Sequence, residues 1–258
     1  MSHPKYLLNS LGLRPRKSFG QNFLIQKNII QKTVKEGHLS KDDFILEIGP
    51  GLGALTEELL KHDISYIGVE KDKKLYEYLK NRFTGNKTQF MCEDFLDFVL
   101  PTSKITVFGN IPYNITSPIL EKLARNKERL KEVILMIPKD IALKLKAKEG
   151  KLYGPLSLLV QLHFEVQNLF EVGAANFYPQ PKIQSQVLKL TPRKSLLDPA
   201  QEEIFFKIVR HAFQKRRKML KAIFPEVHDW VTIGLNPQLR PENVTLEEFI
   251  KWSKIGLF

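Results

Sequence analysis

The chain has 258 residues, 43% of them apolar and 26% charged, an ordinary globular composition that excludes long disorder and allows one sizeable core with a small appendage. Forty Lys and Arg against twenty-eight Asp and Glu give a formal charge of +12, which points to a polyanionic partner, nucleic acid first among them. A single cysteine, Cys92, excludes an internal disulfide and a cysteine zinc cluster; with no apolar run of signal-peptide or membrane-span length, the expectation is a soluble cytoplasmic protein without membrane contact.

In chain order, Ile29, Ile30 and Val34 fall at helical spacing and predict a first helix ending near Gly37. Phe44 to Ile48 then runs into Gly49-Pro50-Gly51-Leu52-Gly53, followed by Leu55, Leu59 and Leu60. This reads as strand, tight turn and helix. The theme repeats with Ile64 to Val69, which ends at Glu70 before a helix carrying Leu75, Tyr78 and Leu79 on one face. Thr88 to Cys92 predicts a third strand, with Cys92 in the core, and Ile105 to Phe108 a fourth. A helix over Ser117 to Leu123 and a fifth apolar run, Val133 to Ile137, complete the alternation. Strands alternating with helices predict an α/β fold with a parallel sheet covered on both faces. Further on, Leu156 to Leu162 reads as a helix, and Phe164 to Val172 with Ile183 to Leu190 as an antiparallel edge pair on the same sheet. Pro192 to Pro199 reads as a linker. Ile204, Phe205, Ile208, Val209 and Phe213 form a helical stripe, with short helices around 219–224 and 246–252. The expected domains are 1–191 and a small helical carboxy-terminal domain, 192–258. No heptad pattern suggests an oligomer, so a monomer is expected.

The glycine turn is the first chemical signal. Gly49 and Gly51 stand where a ligand must approach bare backbone, the following helix adds free amides, and Glu70 lies about twenty residues on, placed to accept both hydroxyls of a ribose. Gly49, Gly51 and Ala54 also satisfy the Gly-x-Gly-x-x-Gly/Ala spacing of nicotinamide dinucleotide sites, so the turn alone is ambiguous. Glu47 before the turn and Asp94 beside the apolar Phe95 favour S-adenosyl-L-methionine. That ligand needs an acid near its amine, an acid on its ribose, an acceptor for its adenine amine and an apolar wall.

Asn110-Ile111-Pro112-Tyr113 follows the fourth strand directly and is the expected reaction centre. The exocyclic nitrogen of adenine gives its lone pair to the ring and is a poor nucleophile. An acceptor on Asn110 and a backbone carbonyl around Ile111 would take its two hydrogens out of the ring plane and aim the lone pair at a methyl sulfonium. Pro112 fixes the backbone and Tyr113 offers a ring on which a base can stack. Positioning carries such a reaction, and no metal is required.

These residues resemble the KsgA-type ribosomal RNA adenine N6,N6-dimethyltransferases, relatives of the Erm-type ribosomal methyltransferases. The similarity runs through Phe19-Gly20-Gln21-Asn22-Phe23-Leu24, Glu47-Ile48-Gly49-Pro50-Gly51, Glu70, Glu93-Asp94-Phe95 and Gly109-Asn110-Ile111-Pro112-Tyr113. It continues in Tyr153-Gly154-Pro155-Leu156-Ser157, Phe177-Tyr178-Pro179-Gln180-Pro181-Lys182-Ile183 and Phe213-Gln214-Lys215-Arg216-Arg217-Lys218. The resemblance implies a class I, Rossmann-like methyltransferase sheet. It also implies that Gln21, Asn22 and Leu24 belong to the cofactor motif, that Gly49 meets the methionine end, Glu70 the ribose, Asp94 the adenine, and Asn110 the reacting centre. The implied substrate is a pair of adjacent adenosines in the 3′-terminal stem-loop of small-subunit ribosomal RNA, within an immature small subunit. Pro138 and Asp140 depart from the family, which usually carries glutamine and glutamate there.

The expected RNA contacts are Arg210, Lys215, Arg216, Arg217 and Lys218 and the amino-terminal Arg14, Arg16 and Lys17, with Phe177 read either as a second stacking surface or as a core residue. Two rivals share the fold: an Erm-type enzyme acting on large-subunit RNA, and a non-catalytic factor that keeps the site as a scaffold.

Overall fold

The computed structural model describes residues 3–16 and 19–256. Lys17 lies outside them, as does the side chain of Tyr113. The strands are β1 (Phe23–Leu24), β2 (Phe44–Ile48), β3 (Ser65–Val69), β4 (Thr88–Met91), β5 (Ile105–Asn110), β6 (Leu130–Pro138), β7 (Phe164–Val172), β8 (Phe177–Tyr178) and β9 (Ser185–Pro192). The helices are α1 (Pro4–Ser10), α2 (Lys27–Lys35), α3 (Ala54–Leu59), α4 (Lys73–Arg82), α5 (Thr116–Arg125), α6 (Lys139–Lys146), α7 (Pro155–His163), α8 (Pro199–Gln214), α9 (Leu220–Ile223), α10 (Trp230–Ile233) and α11 (Leu246–Ile255).

Seven strands form one sheet in the order β4-β3-β2-β5-β6-β9-β7. The first five run parallel, and β9 joins β6 antiparallel. Uninterrupted apolar runs produce this: Ile105, Val107, Phe108 and Val133 to Ile137 are all fully buried, as strands covered on both faces require. Pro138 sits at the very end of β6 opposite Ser185, and Lys139 opens α6 behind it.

Register sets the site. Ile48 pairs with Val69 on one side and Gly109 on the other, so β2, β3 and β5 finish at one edge. The strand order reverses about β2, and in open α/β sheets such a reversal leaves a crevice at the carboxyl ends of the strands. Gly49, Glu70 and Asn110 all fall there.

The described chain divides into two compact units, one of 1–142 with 166–192 and one of 143–165 with 193–258. The sequence expectation placed a single change at 191/192 and left 143–165 with the sheet; those residues instead pack with the helices. Tyr153, Leu158 and Leu162 join Phe205, Phe224, Phe249 and Trp252 in the second core. The expected linker is also tied down. Leu197 is buried, and Asp198 caps α8 in a reciprocal box with Gln201, a device worth about 1 kcal/mol. Cys92 is a further correction. It is exposed, because β4 is an edge strand that ends at Met91. Among the described residues no helix is long and apolar enough to cross a membrane.

Candidate active site

A pocket opens at the carboxyl edge of β2, β3 and β5 and is lined by every residue that the sequence assigned to a cofactor: Gln21, Asn22, Leu24, Glu47, Gly49, Gly51, Glu70, Asp94, Phe95 and Asn110. Ile111 and Pro112 line it too. The turn after β2 holds Gly49 at φ +66° and Gly51 at φ +61°, backbone that L side chains rarely adopt. A Cβ on Gly49 would meet no atom within 4 Å, so bare backbone faces open space there. A Cβ on Gly51 would come within 3.1 Å of the Phe23 ring.

Three acids surround this turn. Burial pushes the carboxyl of Glu47 up to about 7, against the pull of hydrogen bonds donated by Tyr66 and Thr56, with Glu70 adding to the rise. Both hydroxyls donate to Oε2 at 2.7 Å, which leaves Oε1 without a partner among the described residues. Glu70 is held by two backbone amides, Gly51 N–H to Oε2 and Asp72 N–H to Oε1, each at 2.9 Å. Its pKa is raised by burial despite those donors. Burial is the largest single influence on Asp94 and acts to raise it, but the hydrogen bonds from Lys71 and Leu96 and the charges of Lys71 and Lys122 together outweigh it, and the carboxyl lies below the usual range. Lys71 Nζ donates to Oδ2 at 2.6 Å and Leu96 N–H to Oδ1 at 2.9 Å.

Asn110, at the end of β5, donates from Nδ2 to the Asn22 carbonyl at 2.8 Å. That bond fixes the amide and leaves Oδ1 without a partner among the described residues. Ile111 N–H donates to the Met136 carbonyl at 2.9 Å, so the chain leaves the sheet in a held conformation. The Pro112 carbonyl accepts from Ile115 N–H and Thr116 Oγ1, each at 3.2 Å. No donor among the described residues reaches the Ile111 carbonyl. Asn110 and Ile111, neighbours in sequence and both lining the pocket, thus each carry an acceptor that no donor among the described residues engages.

The sequence reading missed residues that the fold brings in. Pro4 and Leu7 of α1 line the pocket, and α1 buries Leu8 against Phe23, Leu52 and Leu75. The apolar positions Leu7, Leu8 and Leu11 are the available signal, in a helix of only seven residues. Phe19 and Lys71 also line the pocket. Asp72, nearly buried, caps α4 and accepts from Gln21 Nε2 at 3.4 Å.

The expected RNA contacts sort differently. Phe177 is 3% exposed, pairs with Leu24 across β1 and β8 and packs in the sheet core, so no ring face is left for a base. Arg14 and Arg16 are both exposed; Arg16 is also paired with Asp72 at 3.5 Å, and its guanidinium lies 5.4 Å from the Phe19 ring centre. In the second unit Lys215, Arg217 and Lys218 stand exposed on a turn beyond α8, and Arg210 is exposed on the helix. Arg216 is the exception. It pairs with Glu242 and donates to the Gly150 carbonyl at 2.8 Å, which makes it a brace within that unit.

A Rossmann-like sheet with a glycine turn, acids at three successive strand ends and an Asn-Ile-Pro-Tyr exit from β5 defines an α/β enzyme of the class I methyltransferase type. The comparisons narrow the class: the model of the ribosomal RNA adenine dimethylase family matches residues 12–255, and the chain belongs to that family. It is 35% identical to a ribosomal RNA small subunit methyltransferase A of Nitrosospira multiformis, over 92% of this chain and 94% of the relative. Identity to the protein of that name from Prosthecochloris aestuarii is 38%, over 91% of each chain. Among solved structures, a dimethyladenosine transferase from Plasmodium falciparum superposes with a TM-score of 0.77 at 26% identity, covering 89% of this chain and 95% of that one. The 23S rRNA methyltransferase ErmE shares the fold, with a TM-score of 0.74 at 23% identity over 90% and 98% of the two chains.

Proposed function

We propose that this protein dimethylates the N6 amines of two adjacent adenosines in the 3′-terminal stem-loop of small-subunit ribosomal RNA, with S-adenosyl-L-methionine as methyl donor and an immature small subunit as substrate. The observation that carries the reading is the Asn110 amide. Its nitrogen is tied to the Asn22 carbonyl, and neither its oxygen nor the carbonyl of the next residue, Ile111, is engaged by a donor among the described residues. Two fixed acceptors are what an exocyclic amine needs if both of its hydrogens are to be held and its lone pair freed.

The residues fit the donor. Gly49 leaves room over bare backbone, Glu70 presents a carboxylate oriented toward ribose hydroxyls, Asp94 accepts from an adenine amine and Phe95 supplies an apolar wall. Glu47 offers its unpartnered oxygen on the methionine side. When bound, S-adenosylmethionine supplies a methyl group that is already electrophilic. The work left to the protein is orientation: Asn110 and Ile111 accept the amine hydrogens, and Pro112 holds that turn rigid. In this reading Tyr113 stacks on the target base, while Arg14, Arg210, Lys215, Arg217 and Lys218 meet RNA phosphates, the protein acting as a monomer and without a metal.

The test is to incubate the protein with labelled S-adenosylmethionine and either immature small subunits or large-subunit RNA, and then map the modified adenosines. Dimethylation at two adjacent adenosines near the 3′ end of the small-subunit RNA is expected. Label on large-subunit RNA would assign the chain to the Erm type, and no label on either would leave it a binding factor.

A further inference from the structure

The acid expected to read adenine is held by a lysine that no motif singled out. Asp94 has two oxygens, and Leu96 N–H fixes only Oδ1, so with that bond alone the carboxylate is free to swing about it. Lys71, directly after Glu70 at the end of β3, closes the second hold with Nζ 2.6 Å from Oδ2. The same ammonium lies 5.9 Å from the centre of the Phe19 ring, another pocket-lining side chain. Lys122 of α5 donates to the Leu96 carbonyl at 2.8 Å and to the Phe98 carbonyl at 2.5 Å, and stands 5.2 Å from the Phe95 ring centre. Segment 94–98 is therefore held by two lysines; Lys71 is the one in direct contact with the carboxylate, and the charge of Lys122 adds to it without a direct bond.

An ionised carboxylate has about four acceptor positions and no donor. Leu96 and Lys71 use one position on each oxygen and leave one on each for a ligand. A cation in direct contact also keeps the group ionised, so that it accepts from a 6-amino group and cannot donate to a 6-oxo group. We infer that Lys71 is a positioning and specificity residue, which fixes Asp94 as an acceptor and so makes the pocket select a 6-aminopurine over a 6-oxopurine nucleoside. The inference rests on the adenosyl reading of the pocket proposed above.

Lys71 is more than half exposed, and its replacement leaves the core intact. The test is calorimetric titration of the whole protein and its Lys71→Met and Lys71→Arg variants with S-adenosylhomocysteine and with its deaminated analogue S-inosylhomocysteine. The wild type is expected to prefer the adenosyl ligand by roughly a hundredfold. In Lys71→Met that ratio should fall to roughly tenfold or less, and in Lys71→Arg it should recover, with thermal midpoints unchanged. A general loosening of the fold would weaken both ligands alike and leave the ratio standing. A preference in Lys71→Met equal to that of the wild type overturns the role of Lys71 while the adenosyl reading survives. A wild-type protein that binds neither ligand overturns both.

Discussion

In the sheet unit, Glu47, Glu70, Asp94 and Asn110 are each tied by at least one hydrogen bond to backbone or to a neighbouring side chain. In the helical unit, Lys215, Arg217 and Lys218 stand exposed on a turn, and only Arg216 between them is engaged. The difference fits the chemistry proposed for each region. Methyl transfer to a weak nucleophile depends on acceptors held in one geometry, and prior hydrogen bonds provide that rigidity at the cost of burying charge. Phosphate recognition depends on long-range attraction and counterion release, which mobile exposed cations supply without fixed geometry.

The comparison can be broken most forcefully at Phe177, which the sequence grouped with the RNA contacts and the structure places in the sheet core. Phe177→Ala should cost about 3–5 kcal/mol of stability and leave the salt dependence of RNA binding unchanged. Thermal melts and filter binding over a salt series check both halves; a stable variant with weakened RNA binding would return Phe177 to the interface.

Glu47 sharpens the contrast through pH. Its carboxyl titrates near 4.5 when unfolded and about 7 when folded, so the folded protein binds the proton more tightly. The resulting stability is fully present below pH 4.5 and is lost as pH rises through about 7, by about 3 kcal/mol in all. Glu47→Gln should flatten that part of the melting profile between pH 5 and 8. An unchanged slope in the variant would show that another group carries it.

The smallest effects are expected on the basic turn. Arg217→Ala should weaken RNA binding several-fold and reduce the salt slope by about 1, as loss of one phosphate contact does. Arg216→Ala should instead lower the melting temperature by an amount corresponding to about 1 kcal/mol or less, since its pair with Glu242 is part-exposed. Identical salt slopes in the two variants would erase the distinction between brace and contact.

The sheet was legible because its strands are long apolar runs punctuated by glycine and followed by acids; register then delivers Gly49, Glu70 and Asn110 to one edge. The misses have physical reasons. At seven residues α1 is too short for periodicity to announce itself. Thr88 to Met91 alternates half-exposed and exposed positions, so an apolar-looking end gave no sign that Cys92 lies beyond it. Arg216 finds its partners 26 and 66 residues away in sequence, and no local pattern encodes such a tie. Lys71 reads as one more basic residue until β3 and β4 are set side by side, bringing it to Asp94.

The central claim is that the sheet unit holds the donor independently of the acceptor that drives transfer. It is tested most directly by titrating purified Asn110→Ala with S-adenosylmethionine and assaying methyl transfer to immature small subunits on the same preparation. Donor affinity within about threefold of wild type, with transfer reduced on the order of a hundredfold or more, is the predicted result; turnover at the wild-type rate would contradict it.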